Sequence, residues 1–523
     1  MNIYEVIAFA LYFILVLAIG IYFFVKSKDK SEKDYFLGGR EMNGWVSALS
    51  AGASDMSAWV LMGLPGAIFI TGLSQIWISI GLIIGTLCAW FLIAPKLRRY
   101  AIKADDSITI PQFLSNRFKS KKATLRIACA VIFVVGYCLY SASSVVACGK
   151  LFNMLVPNVK EDVAMIVMSI VIVSYTLLGG FKAVCWTDFF QGMLMLLALL
   201  TVPIIAYIML NVSGGAASVV TPENYYNVLA SGEFNWASIA SILTGLGWGL
   251  GYFGMPHILV RYMAVKSEKE MKKSQIIGSI WTTVILTMAT VVALVAHELI
   301  GTGLSADDKN LVFVVVVRKI FGAGALALVG GILISAIVAA SMSTADSQLL
   351  ASSSAFSSDI YKTTINKNAT DKQMLWVGRI AVGVITIFAL AIALLVYYFD
   401  LGSIMELVSA AWSIFGAAFG PTVVLALFWK RFNEKGAVCG IISGFIVSIL
   451  WMILFNFEYY GFKSLIFNTQ LYEIIPGFII SMVVAVVVAL VTKAPSEEVV
   501  ALHESVNDKV IEESSKEVVQ EEN

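Results

Sequence analysis

Charge is the scarcest thing in this sequence. Only 14% of its 523 residues are Asp, Glu, Lys or Arg, whereas soluble domains carry about 25%. Twelve of the charged residues stand in the last 31 positions, so the remaining 492 are poorer still. That scarcity excludes an ordinary cytosolic enzyme, a disordered chain and a nucleic-acid binder with a basic face. Histidine is almost missing, with three in the chain, which leaves a membrane enzyme without a base for its nucleophile. Six cysteines (Cys88, Cys129, Cys138, Cys148, Cys185, Cys439) fall in or beside apolar runs with no paired loop spacing. Neither a disulfide framework nor a metal cluster is expected from them. There is no HExxH, no GxSxG near a membrane surface and no GxxxxGK(S/T) phosphate loop.

What the chain has instead is long apolar runs, and 59% of it is hydrophobic. A membrane-crossing helix needs about 20 mostly apolar residues. Thirteen such runs stand near 4–26, 43–70, 72–95, 125–155, 163–181, 187–211, 236–262, 275–300, 322–358, 375–399, 402–429, 437–457 and 472–492. The 322–358 run is over-long for a bilayer. The first run is no cleaved signal: it is long, lacks a basic segment ahead of it, and meets Lys26 with no small-residue cleavage site. The chain reads as an all-α polytopic membrane protein, with residues 1–492 as one transmembrane domain set in the lipid bilayer. Cytoplasmic loops hold the excess of Lys and Arg. With the N-terminus outside, 30 of the 36 basic residues fall inside, leaving Lys150, Lys160, Lys309, Arg318, Lys319 and Lys463 outside. An external N-terminus and a cytoplasmic C-terminus follow. Residues 493–523, with nine acidic residues and three lysines, read as a solvated acidic cytoplasmic tail, disordered or partly helical.

Two runs differ from the rest. Residues 47–67 are rich in Ser, Ala and Gly and end in Gly63-Leu64-Pro65-Gly66; residues 244–257 are rich in Gly and end in Pro256-His257. Gly weakens a helix, and Pro removes a donor and clashes with the preceding turn. Opened backbone at membrane depth survives only where protein buries it or it lines a wet cavity. Small residues also serve close helix packing. Their placement favours function: they are spans two and seven, each opening a block of five, about 43–211 and 236–429. An odd block size turns the second repeat upside down, and interrupted segments at matching positions point to a transporter site at the midplane. With no nucleotide site, uphill transport needs an ion gradient. Nothing resembles a channel's selectivity filter, and the tail is too short for a sensor's output domain.

Asp55 lies mid-span in Gly52-Ala53-Ser54-Asp55-Met56-Ser57, and a carboxylate inside a membrane marks a functional site by default. No Lys or Arg is expected at its depth in any span, so the balancing cation comes from solution. A hard cation such as sodium wants oxygens, which opened carbonyls and serines supply. Span nine offers a second cluster, Ser341-Met342-Ser343-Thr344-Ala345-Asp346. Its hydroxyls bond either a cation or the carbonyl one turn back. Asp346 tunes sodium affinity, accepts a proton, or is held by hydroxyls. Asp188, at the cytoplasmic end of span six, is an interface residue or an N-cap. Trp248, Tyr252 and Tyr140 stand away from the membrane surface and are placed to wall an apolar ring.

These residues closely resemble the sodium/proline symporters of the solute:sodium symporter family. The matching segments are Ala48-Leu-Ser-Ala-Gly-Ala-Ser-Asp-Met-Ser57, Met62-Gly-Leu-Pro-Gly-Ala67, Gly247-Trp-Gly-Leu-Gly-Tyr-Phe-Gly254 with Pro256-His257, and Met342-Ser-Thr344. Gly38-Gly-Arg40, Trp186-Thr-Asp188, Val377-Gly-Arg379 and Gly416-Ala-Ala-Phe-Gly-Pro421 match as well, in order, from about residue 35 to Pro495. The resemblance implies a leucine-transporter-type 5+5 inverted repeat with one extra N-terminal and two extra C-terminal helices. It implies sodium-coupled uptake of L-proline across a bacterial cytoplasmic membrane. Sodium is then bound by the carbonyls of Ala53, Met56 and Ala340 and the hydroxyls of Ser343 and Thr344, with Asp55 the essential carboxylate nearby. The proline pocket involves Ser57, Gly63, Tyr140, Trp248, Tyr252 and Pro256. Arg40 and Asp188 act near the cytoplasmic end of the ion path. Asp346 departs from the uncharged residue found in some members. Alternative readings are a sodium-coupled symporter for pantothenate, a sugar or a carboxylate, and a proton-coupled amino-acid transporter.

Overall fold

The computed structural model describes residues 2–26, 31–156, 158–213, 221–301, 304, 308–460 and 463–506. The end of the acidic tail, from 507, lies outside them. Among the described residues there is no strand, only helices and one isolated bridge between Met42 and Val265. Ten helices are long and apolar enough to cross a membrane, and the pair Gly44–Asp55 and Trp59–Thr71, bent by 61° at its junction, makes up to eleven.

Thirteen spans are therefore not established by length and apolarity. The two expected runs that fall short are those where the backbone breaks. The 163–181 run is the first arm of Glu161–Ser213, which divides where Gly180 takes φ 58°, a conformation that suits glycine and few other residues. The 236–262 run consists of helix Trp236–Gly247, a 3-10 turn Trp248–Phe253 and helix Pro256–Met263. The over-long run starts later than expected, at Leu326, because Gly324 turns the chain with φ 55°. It then continues through wider π turns to Ile365.

Peripheral helices Ile3–Lys26, Asp371–Phe399, Glu434–Phe455 and Ile474–Val491 turn Ile14, Ile387, Ile446 and Val483 outward. In water so much apolar surface would drive association; in lipid it is the solvated face. Helices Gly44–Asp55, Leu326–Ser354 and Ile404–Phe428 are enclosed by the others, and their small residues let backbones approach. Helix Ile76–Cys88 presses directly on the second broken segment. A Cβ on Gly245 would lie 2.4 Å from the Trp77 Cβ, and one on Gly85 only 2.3 Å from the Gly249 carbonyl oxygen. Part of the glycine content that marks the break thus serves packing.

Candidate functional site

Helix Gly44–Asp55 ends through its own backbone bonding. Met56 N–H still donates to the Gly52 carbonyl at 2.9 Å, but Ser57 N–H turns to Asp55 O at 3.0 Å rather than to Ala53 O. The Ala53 carbonyl loses its usual partner, as carbonyls in a last helical turn do. Met56, at ψ 74°, carries the turn. The chain resumes through a π turn, Trp59–Gly63, that runs on into helix Leu64–Thr71, with Pro65 at the junction where it withholds an N–H from the preceding turn.

The middle of helix Leu326–Ser354 faces this break. Ser343 Oγ donates to Ala53 O at 2.8 Å and to Ala340 O at 3.1 Å, and Thr344 Oγ1 donates to Ala53 O at 3.4 Å. Both hydroxyls are fully buried. Four of the five expected sodium ligands (Ala53, Ala340, Ser343, Thr344) are thus linked by three hydrogen bonds. Met56 stands at the turn itself, and among the described residues no hydrogen bond ties it to the two hydroxyls. The donor set is all oxygen, and the hydroxyls can rotate their lone pairs toward a hard cation.

Asp55 adjoins this crossing and is buried. Its Oδ2 accepts from Tyr252 OH at 2.5 Å, while Oδ1 has no hydrogen-bond partner among the described residues. No Lys or Arg there pairs with it, as expected. The Asp55 carbonyl accepts from Tyr140 OH at 3.3 Å and from Trp59 Nε1 at 3.4 Å. The two broken segments and helix Thr124–Leu155 are thereby joined at one carboxylate-bearing residue. Trp248 lies in the same wall. Its ring sits 5.1 Å from Tyr472, 6.0 Å from Trp59 and 6.3 Å from Trp412, and Trp412 Nε1 donates to its carbonyl at 2.8 Å.

Other expected pocket residues occupy particular places around the breaks. Ser57 is buried and its Oγ accepts from Trp59 N–H at 3.4 Å. A Cβ on Gly63 would make only ordinary contacts, 3.5 Å from Trp59 and 3.6 Å from Met405, so packing does not demand glycine there. Pro256 opens the second arm of the other break, and His257 N–H is satisfied by Tyr137 OH at 2.9 Å. Trp59, Tyr137, Trp412 and Tyr472 escaped sequence reasoning. Their partners lie far away in the chain, and in sequence they look like other membrane aromatics.

The second acidic cluster requires a correction. Asp188 is neither an N-cap nor an interface residue: Gly180 starts its helical arm two turns earlier, which puts Asp188 inside the bundle, fully buried. Its Oδ2 accepts from Ser50 Oγ at 2.7 Å and from Arg261 Nη2 at 2.8 Å. A basic side chain therefore does lie buried inside the bundle, beside Asp188 rather than Asp55. Arg261, in the last turn of Pro256–Met263, folds back along its own helix to His257 O (2.7 Å) and also donates to Ser50 Oγ (2.7 Å) and to Ser347 Oγ. Counting it with the cytoplasmic loop missed the reach of its side chain. Ser347 Oγ lies 3.1 Å from Asp346 Oδ1, and Tyr175 OH donates to Asp346 Oδ2 at 2.8 Å. Of the three alternatives for Asp346, the hydroxyl-held one describes this geometry.

Arg40 stands apart from both clusters. It follows two glycines of positive φ and itself adopts φ 58°. Its guanidinium bonds Asp106 Oδ1 at 2.7 Å, Met263 O at 2.5 Å and Ser107 O at 2.6 Å. It fastens the end of helix Pro256–Met263 to the loop after residue 103.

Comparison with known proteins shows the family and the fold. The profile of the sodium:solute symporter family matches residues 35–444. The osmoregulated proline transporter OpuE of Bacillus subtilis (strain 168) is 40% identical over 501 residues, 95% of this chain and 96% of its own. The high-affinity proline transporter PutP of the same organism is 40% identical over 91% of this chain and 96% of its own. A sodium/proline symporter of Staphylococcus aureus (strain NCTC 8325 / PS 47) is 40% identical over 94% and 93%. Among solved structures, a Na+-coupled sialic acid symporter superposes with a TM-score of 0.72 at 18% identity, covering 94% of this chain and 99% of that one. A nucleobase-cation-symport-1 transporter gives 0.52 at 12% identity, over 92% and 99%. The fold is the leucine-transporter type that the family resemblance implied.

Proposed function

The chain belongs to the sodium:solute symporter family, and from that premise we propose that it couples inward sodium movement to uptake of L-proline by alternating access. It is a multi-pass membrane transporter and not an enzyme. The observation that carries the reading is the Ala53 carbonyl, released by the helix break and met by the hydroxyls of Ser343 and Thr344. Asp55 beside it has a free oxygen and no basic partner among the described residues. Sodium from outside binds between the broken segment and helix Leu326–Ser354, with Met56 supplying a further carbonyl, and steadies the opened backbone. That order shapes the pocket at Ser57, Gly63, Tyr140, Trp248, Tyr252 and Pro256, where free N–H groups at helix ends receive the substrate carboxylate. Sodium and proline then raise each other's affinity reciprocally. Proline as the solute rests on the names of the 40%-identical relatives.

The repeats run from about 43 to 211 and from about 236 to 429. The 30 to 6 asymmetry of basic residues supports an external N-terminus and a cytoplasmic C-terminus in a bacterial cytoplasmic membrane. The test is proline uptake into proteoliposomes with and without an inward sodium gradient. Sodium-driven accumulation is expected. Accumulation driven equally by a proton gradient alone would replace sodium with protons as the coupling ion. Sodium-driven uptake of pantothenate, a sugar or a carboxylate with none of proline would keep the mechanism and change the solute.

A further inference from the structure

The short helix Glu497–Ser505 follows the last span and lies on the face that the charge asymmetry assigns to the cytoplasm. It is held down. Val499 and His503 are buried against the bundle. His503 Nδ1 lies 3.4 Å from Arg117 Nη2, and its ring centre is 5.7 Å from that of Tyr100. Lys430 pairs with Glu504 at 3.1 Å, Lys119 with Glu498 at 3.7 Å, and Lys103 Nζ donates to the Ser505 carbonyl. Upstream, Asn433 Nδ2 donates to Lys493 O at 2.9 Å, and Arg431 Nη2 to Thr492 O at 2.9 Å.

These contacts span a seam. Tyr100, Lys103, Arg117 and Lys119 come from the first half of the chain, and Lys430 from the loop that closes the second. Arg117 already crosses the same seam, its Nε bonding Ala426 O at 3.2 Å. Its guanidinium is wholly buried, has no carboxylate partner among the described residues, and leaves Nη1 unbonded. Alternating access in this fold is rocking of one group of helices against the other, so a bond across one end opposes opening at that end.

We propose that helix Glu497–Ser505 is a releasable strap that holds the cytoplasmic ends of the two halves together and slows inward opening. The proposal rests on the alternating-access reading above. Two features make the strap releasable. Its ion pairs are solvent-exposed and weaken with salt. Its histidine faces Arg117, Lys96 and Lys430, with Glu504 opposing them among the described residues, and burial with those cations holds His503 down to a pKa of about 4. Docking favours the neutral ring. It is at full strength above the ordinary histidine value of 6.5 and weakens as pH falls from there toward 4.

The experiment uses the full chain, a chain ending at Ala494, and His503→Gln. Hydrogen exchange of the 497–505 amides reads docking without substrate. Protection should fall by about tenfold between pH 7 and pH 5 in the full chain, allowing for solvent screening, and stay constant in His503→Gln. It should also fall in potassium chloride of about 1 M, where the screening length is about 3 Å. In proteoliposomes, the shortened chain should take up proline about threefold faster than the full chain at low salt, with no further response to cytoplasmic salt. Equal or slower uptake by the shortened chain, or protection indifferent to both salt and acid, overturns the strap. A full chain that transports nothing under a sodium gradient brings down the functional reading, and the strap with it, whatever exchange reports.

Discussion

Helix Leu326–Ser354 carries two buried oxygen clusters within one turn of each other. At Ser343 and Thr344 it meets the freed Ala53 carbonyl, next to Asp55. At Asp346 and Ser347 it meets Arg261 and, through it, Asp188. Both clusters concentrate acceptors and carboxylates where water is excluded, and a buried charge without a partner is costly. They differ in where the balancing positive charge comes from. The second cluster contains its own guanidinium, which sets one internal positive charge against Asp188 and Asp346 and joins the helices that carry Ser50, Asp188, Arg261 and Ser347. The first contains none among the described residues, and in the proposed function its balance is the sodium ion from solution. A carboxylate inside a membrane protein does not itself mark an ion site; whether a basic side chain stands beside it separates the two clusters here.

Breaking each cluster should have a different signature. The largest effect is expected for Asp55→Ala, which should reduce sodium-driven proline uptake at least about 100-fold while leaving membrane insertion and thermal stability near normal. Uptake close to wild type would remove Asp55 from the ion site. Arg261→Met should act on stability instead. It leaves two buried carboxylates uncompensated, a loss of about 3–5 kcal/mol, visible as a lowered unfolding temperature in detergent. If Arg261→Met unfolds at the wild-type temperature, the second cluster is no fastener. Ser343→Ala and Thr344→Ala each remove one oxygen and should raise the half-saturating sodium concentration about tenfold, with little change at saturating sodium. An unchanged sodium requirement would mean that these hydroxyls only bond backbone. The smallest effect belongs to Gly63→Ala, whose new Cβ meets ordinary contacts. Stability should move by less than about 0.5 kcal/mol, and proline affinity should fall severalfold if Gly63 lines the pocket.

The sequence carried the first cluster better than the second, for physical reasons. Gly and Pro act on their own backbone, so both broken segments were readable locally, as was a lone carboxylate in an apolar run. Which residue completes a carboxylate is a tertiary matter. Arg261 sits at the loop end of its helix and reaches inward only through side-chain length, and Asp188 changes character once Gly180 fixes where its helical arm begins. The aromatic wall shows the same limit: Trp248, Tyr252 and Tyr140 were singled out by the chain around them, while Trp412 and Tyr472, which stack against that wall, gave no local signal. The span count was legible only where helices are continuous.

The most direct test of the distinction is saturable binding of radioactive sodium to the purified protein, with and without proline. Binding should strengthen with proline, disappear in the Ser343→Ala, Thr344→Ala double variant, and survive in Asp346→Asn. Binding that persists in the double variant but vanishes in Asp346→Asn would place the ion at the other cluster, beside Arg261, and remove it from Ser343 and Thr344.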